Sequence, residues 1–312
     1  MQHLMATLTV LALALPAAAH GGFGPLMTPQ DLSVATAADA ALLVLDIRAE
    51  GDAGYGAAHI PGAVNAPYGL FRGPAENPGK LPTEDRLTEV LRGLGVTPDR
   101  PTVIVHQGAN ETDFGAAARV YWTLKSSGVS QLAILNGGMS GWMAVDLPLS
   151  QDTVTPAESN ITASFSHEWL ATEADVLSIV AGHDDALLLD ARPEAFWSGK
   201  AVHSAAARAG TLPQSRFFEH AGWFRSGPVI VDADAARSLA AEQGFTGEEQ
   251  IVSFCNTGQW GATNWFALSE LAGIENVKLY PESMVGWSNA GLEMANVPGL
   301  TQKLWQRIKG VF

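Results

Sequence analysis

The sequence predicts an α/β protein built as two tandem copies of one domain, each a mostly parallel sheet flanked by helices. Three observations predict it. Short Val/Ile/Leu runs alternate with amphipathic segments, the pattern of strands buried between helices. Particular segments return at a nearly fixed offset. Asp46 and Arg48 in the run 42–48 recur as Asp190 and Arg192, 144 positions on, and Met139, Gly141 and Trp142 recur as Met284, Gly286 and Trp287, 145 positions on. Between the copies, residues 146–164 are rich in Pro, Ser, Thr and Asn and have little hydrophobic periodicity, as a linker does. These features place the first copy at 35–148, the linker at 149–165, the second copy at 166–295 and a tail at 296–312.

Taken in order, the chain opens with an apolar stretch from Leu8 to Leu15, then Pro16 and Ala17-Ala18-Ala19 ahead of His20. This reads as a secretory signal over residues 1–19, cleaved after Ala19, so a periplasmic or secreted protein is expected. The stretch is too short to span a bilayer comfortably, and no membrane span is expected in the mature chain. In the first copy, strands are expected at 42–48 and 103–107 and helices at 84–92 and 116–124. In the second, strands are expected at 187–192 and 251–255 and helices at 235–243 and 263–271. Trp142 and Trp287 follow the last strand of each copy and read as packing anchors.

Composition narrows the function. With 312 residues and 47% of them hydrophobic, the chain can fill two ordinary cores. A formal net charge of -14 argues against nucleic-acid or anionic-membrane partners, which need clustered basic surface. Eight histidines occur without metal-ligand spacing and the single cysteine cannot build a thiolate cluster, so no metal and no cofactor are expected. One cysteine also excludes an intrachain disulfide.

That cysteine, Cys255, is the candidate nucleophile. It ends an apolar run and precedes the polar loop Asn256-Thr257-Gly258-Gln259, then Trp260 and Gly261, where a helical segment opens. A strand, turn and helix in this order converge backbone N–H groups on the sulfur and favour its thiolate. The alternative is a small buried hydrophobe. The strand ends place Gln107 opposite Cys255 in the first copy, with His106 before it read as a core or rim histidine. Arg192 and Arg208 are candidates for the pocket. Arg192 can equally be a scaffold partner of Asp190, as Arg48 would be of Asp46.

The paired Asp-x-Arg segments, the run His59-Ile60-Pro61-Gly62-Ala63, the strand-Cys-loop-helix unit and the terminal Gly-Trp resemble a tandem-domain rhodanese, a thiosulfate sulfurtransferase, over about residues 35 to 295. The resemblance implies an inactive first domain and a second whose Cys carries a persulfide, a position that maps on Cys255 alone. It implies a donor that is a small sulfur-containing anion such as thiosulfate, an acceptor that is cyanide or a thiol, and substrate contacts from Asn256, Thr257, Gly258, Gln259, Trp260 and Gly261 with Arg208 and Arg192. The chain departs from thiosulfate-specific members. Its loop carries no cation, Phe196 stands four residues after Arg192 where a second arginine can occur, and the His-Ile-Pro-Gly-Ala run becomes Thr211-Leu212-Pro213-Gln214-Ser215 in the second copy. A neutral loop also suits a sulfur carrier that receives persulfide from a partner protein. An oxyanion-clamping phosphatase is disfavoured, because Gly261 stands where the clamping arginine would be.

Overall fold

The computed structural model describes residues 23–299 apart from 52 and 248. The expected signal segment and the tail beyond 299 lie outside the described residues.

The first repeat runs β1 (Leu26–Met27), α1 (Pro29–Ala38), β2 (Leu43–Asp46), β3 (Val64–Asn65), α2 (Glu84–Gly93), β4 (Thr102–Val105), α3 (Glu111–Ser126), β5 (Leu132–Leu135) and α4 (Gly138–Ala144). Its five strands are all parallel, in the order β1-β5-β4-β2-β3. The second repeat runs α5 (Glu173–Val180), β6 (Leu187–Asp190), α6 (Glu194–Trp197), β7 (Arg216–Phe217), β8 (Phe224–Ser226), β9 (Val229–Ile230), α7 (Ala233–Glu242), β10 (Ile251–Phe254), α8 (Gln259–Phe266), β11 (Val277–Leu279) and α9 (Ser283–Asn289). Its parallel sheet has the order β11-β10-β6-β7, and β8 and β9 form a separate antiparallel pair.

Residues of β2, β4, β5 and β10 are buried throughout. Helices cover both faces of such sheets, which is why these strands read as continuous apolar runs rather than alternating ones. Most helix starts follow from side-chain caps. Thr28, Thr83, Asn110, Thr172 and Asp232 each accept a backbone N–H of the first turn. Helix α8 is different: its N-cap is Gly258, left-handed at φ 76° and without a capping side chain. The helix expected over 263–271 starts earlier, at Gln259, and gives way after Phe266 to a π-turn, Ala267–Leu271.

The two repeats share one core. Helices α3 and α8 pack face to face, with Phe114 and Tyr121 edge-on to Phe266 at 5.7 and 5.0 Å between ring centroids. Trp122 and Trp265 are fully buried in the same cluster. Burial of one large apolar side chain contributes roughly 1.5–3 kcal/mol, so this seam is a substantial part of the fold. The connecting segment is tied down as well: Ile161 and Ala163 are buried, and the Ile161 carbonyl accepts from Arg92 Nε at 2.7 Å. Trp142 and Trp287 are buried, and each donates its indole N–H to a backbone carbonyl six residues on, of Pro148 and Glu293.

Candidate active site

Cys255 follows β10 at the carboxyl end of the second sheet, where ligands bind in parallel α/β folds. It is 1% exposed as a residue. Its N–H donates to Ser283 Oγ at 3.0 Å and its carbonyl accepts from Met284 N at 3.0 Å. The next carbonyl, of Asn256, accepts from Val285 N, so the start of α9 holds the loop from below. Gly261 lets the helix pass close over the strand, since a Cβ there would lie 3.1 Å from Phe254 backbone atoms and Leu279 Cδ1.

With its carbonyls held this way, the loop keeps its donors. Among the described residues, no backbone N–H from Asn256 to Gly261 donates to a protein acceptor. The buried Nδ2 of Asn256 is also without a partner. Successive free N–H groups at a helix N-terminus form an anion-binding concavity, and the helix dipole reinforces it by up to about 2 kcal/mol when partly buried. A sulfur anion at Cys255 is the group such a loop can hold.

Three expectations need correction. The register settles the first: Asp46 pairs with Val105 and Asp190 with Phe254, so the residue following each strand is His106 in one repeat and Cys255 in the other. The counterpart of Cys255 is therefore His106, and Gln107 matches Asn256. The arginines agree: Arg48 Nη1 donates to Gln107 Oε1 at 3.3 Å and Arg192 Nη1 to Asn256 Oδ1 at 3.2 Å. An offset that drifts through insertions hid this by one residue.

The second correction concerns Arg192. It is buried, with Nε and Nη2 on the Asp190 carboxylate, Nη2 also on the Gly210 carbonyl and Nη1 on Asn256. It positions the loop through Asn256, and its Nε and both Nη2 hydrogens are taken up by Asp190 and Gly210. The third is Arg208, which is exposed and donates to the Leu292 carbonyl; it is not brought to the loop.

Gln259 and Trp260 reach the other repeat. Gln259 Nε2 donates to the Thr112 carbonyl at 2.7 Å, its Oε1 accepts from Arg72 Nη1 at 3.3 Å, and Trp260 Nε1 donates to Thr112 Oγ1 at 3.0 Å. The Trp260 ring stacks on His220 at 5.0 Å and tilts against Phe196 at 6.0 Å. His220 is neutral in this stack: burial pushes its imidazole down to about 4, against smaller opposing effects of the Ala191 carbonyl and Glu111.

The cations missing from the loop come from the first repeat, and sequence reasoning passed over them. Arg119 of α3 is 1% exposed. Its Nη1 lies so close to Gly258 that a Cβ there would overlap it, and its Nη2 donates to the Gly79 carbonyl at 3.2 Å. Arg72 holds Tyr68, Pro78 and Gln259 together. The signal for Arg119 was present in the sequence, as a single charge inside the run Phe114 to Trp122 that is otherwise apolar or small.

A family model described as the rhodanese-like domain matches residues 28–145 and again 172–290. The chain is 30% identical over 263 residues to the thiosulfate sulfurtransferase of Azotobacter vinelandii, covering 84% of this chain and 93% of that one. It is 29% identical over 232 residues to the 3-mercaptopyruvate sulfurtransferase of Escherichia coli K12, covering 73% and 80%. The solved structure of SseA from Escherichia coli superposes with a TM-score of 0.71 over 83% of this chain and 98% of that one, at 24% identity, a likeness of fold. Two matched domains, a shared topology and a single cysteine at the head of the second repeat's loop converge: the chain belongs to the rhodanese-like family and is a tandem-domain sulfurtransferase.

Proposed function

We propose that Cys255 accepts a sulfane sulfur from a small anionic donor and passes it to a thiophilic acceptor. The observation that carries this reading is the ring of unengaged donors, Asn256 to Gly261, around the chain's one cysteine. With thiosulfate, the Cys255 thiolate attacks the outer sulfur, the donor's S–S bond breaks, and its electron pair leaves with sulfite. A new S–S bond makes the persulfide, whose terminal sulfur carries the negative charge into the loop. Cyanide or a thiol then attacks that sulfur, and Cys255 returns as thiolate. No net oxidation or reduction of the protein occurs, and the two displacements predict ping-pong kinetics.

Thiosulfate and 3-mercaptopyruvate, named for the two relatives, are the donors to compare first. Delivery from a partner protein's persulfide is the second reading, favoured by the absence of any cation between Cys255 and Lys278. Export to the periplasm or medium, suggested by residues 1–19, belongs to the same proposal and is checked by sequencing the amino terminus of the mature protein.

Intact-mass spectrometry of the purified chain, before and after donor and then after cyanide, tests the cycle. The expected result is a gain of about one sulfur atom, roughly 32 Da, lost again to cyanide and absent in Cys255→Ser. No adduct with either small donor, in a protein whose thiol still alkylates, would move the partner-protein reading ahead. A thiol that resists alkylation would sink both.

A further inference from the structure

The loop that receives the sulfur anion is neutral in sequence, yet its pocket is not without positive charge. Arg119 enters from α3 of the repeat that has no nucleophile and presses Nη1 against Gly258. Its Nε is buried and has no hydrogen-bond partner in the protein, and among the described residues no carboxylate lies within ion-pair distance of its guanidinium. A buried arginine normally has its fork filled, as Arg48 and Arg192 do here. Asn256 Nδ2 is a second unpartnered buried donor at the same loop. Two unsatisfied donors, one of them cationic, around one potential sulfur anion point to an anionic partner.

The surroundings keep that charge directed at the loop. The turn after Arg72 lies over it, since a Cβ on Gly79 would lie 3.1 Å from Thr257 Cα and 3.0 Å from Glu282 Cα. Burial pushes the Arg119 guanidinium down to about 10, with Arg72 acting in the same direction and Tyr68, Cys255 and Glu282 opposing, so it is still charged at neutral pH. Glu282 is the nearby anion, and its Oε2 accepts from Asn77 Nδ2 at 2.7 Å rather than from either arginine.

We propose that Arg119, carried by the repeat without a nucleophile, balances the negative charge on the Cys255 sulfur as thiolate and then persulfide, with Arg72 extending the same positive patch toward an anionic donor. This rests on Cys255 being the sulfur carrier, but it adds a division of labour: one repeat supplies the sulfur and the N–H groups, the other the compensating charge. Arg119 acts across the seam and is a charge-balancing residue rather than a nucleophile or acid.

The single cysteine makes the test clean. Rates of alkylation by anionic iodoacetate and by neutral iodoacetamide are measured on the full chain with no sulfur donor present. Their ratio reads local charge, and general loosening of the loop does not lower it. Arg119→Gln is expected to lower the iodoacetate-to-iodoacetamide ratio about tenfold, Arg72→Gln by less, and Arg119→Lys to restore most of it. A ratio within about twofold of the unaltered protein in a folded Arg119→Gln variant would overturn the inference. Should that variant not fold, Glu282→Gln decides, since removing the opposing carboxylate raises the ratio about threefold if the patch faces the sulfur and leaves it unchanged if it does not. Because no donor is present, a failed mass adduct and a failed charge effect are separate results.

Discussion

The loops that follow β4 and β10 start from the same backbone plan and end with opposite chemistry. After β4, His106 stands in the cysteine's place, and the Asp113 carboxylate folds back into the loop. Asp113 Oδ2 lies 2.9 Å from His106 Nδ1 and accepts from the N–H groups of Gly108 and Ala109. After β10, no carboxylate among the described residues does this, and the N–H groups from Asn256 to Gly261 have no protein acceptors among them. Both loops are anion cradles, but the first is filled by its own protein. The comparison teaches that in the repeat without a cysteine an internal carboxylate stands where an anion would bind, which keeps the loop's donors satisfied.

The largest expected break in this comparison is Cys255→Ser, which should reduce sulfur transfer at least about a thousandfold while circular dichroism and melting stay close to those of the unaltered protein. The buried ion pairs come next. Arg192→Ala and Arg48→Ala should each cost about 3–5 kcal/mol in denaturant unfolding, because a buried aspartate is left uncompensated. Only Arg192→Ala should also slow transfer in the folded fraction, since only its pair positions the Cys255 loop.

Gly258→Ala should cost about 1–3 kcal/mol for an alanine in the left-handed region and reduce transfer, with Arg119 displaced by the new methyl. In the first repeat, Asp113→Ala should cost about 1–3 kcal/mol and leave transfer unchanged, and sulfate should recover part of the lost stability by occupying the emptied cradle. No sulfate effect would mean that the two loops are less alike than their N–H groups suggest.

Asp113 also predicts a pH dependence. Burial works to raise its carboxyl, but the His106 hydrogen bond and charge and the N–H groups of Ala109 and Gly108 outweigh it and hold the group below its ordinary value of 3.8. A carboxyl lowered on folding contributes stability that is fully present above its unfolded value and is lost as the pH falls through the folded one. Acid titration of unfolding below pH about 4 should therefore show a component that disappears in Asp113→Ala. The smallest effect is expected of Arg208→Ala: within about 0.5 kcal/mol and without change in transfer, as suits an exposed arginine on a backbone carbonyl.

Much of the molecule was legible in the sequence because the signals are local. The alternation of apolar runs and helices, the repeated Asp-x-Arg and Gly-Trp segments and the strand-Cys-loop-helix order are each contained in a few neighbouring residues, and they carry the fold class, the internal duplication and the candidate nucleophile. The match of Gln107 to Cys255 was off by one because the offset between the copies changes along the chain with insertions and deletions of several residues, while hydrogen-bond register does not. Arg208 was misplaced because nearness in sequence to the 211–215 turn says little about the direction of a long side chain.

What the chain alone determined, then, is that a duplicated α/β fold presents one thiol at a strand end, ahead of a polar loop and a helix. What only the tertiary structure decided is the charge around that thiol. Arg72 and Arg119 lie well over a hundred residues from Cys255 and arrive there only because α3 and α8 bury their aromatic faces against each other. Local patterns report what neighbouring residues share, whereas an electrostatic environment sums over whatever packing brings near.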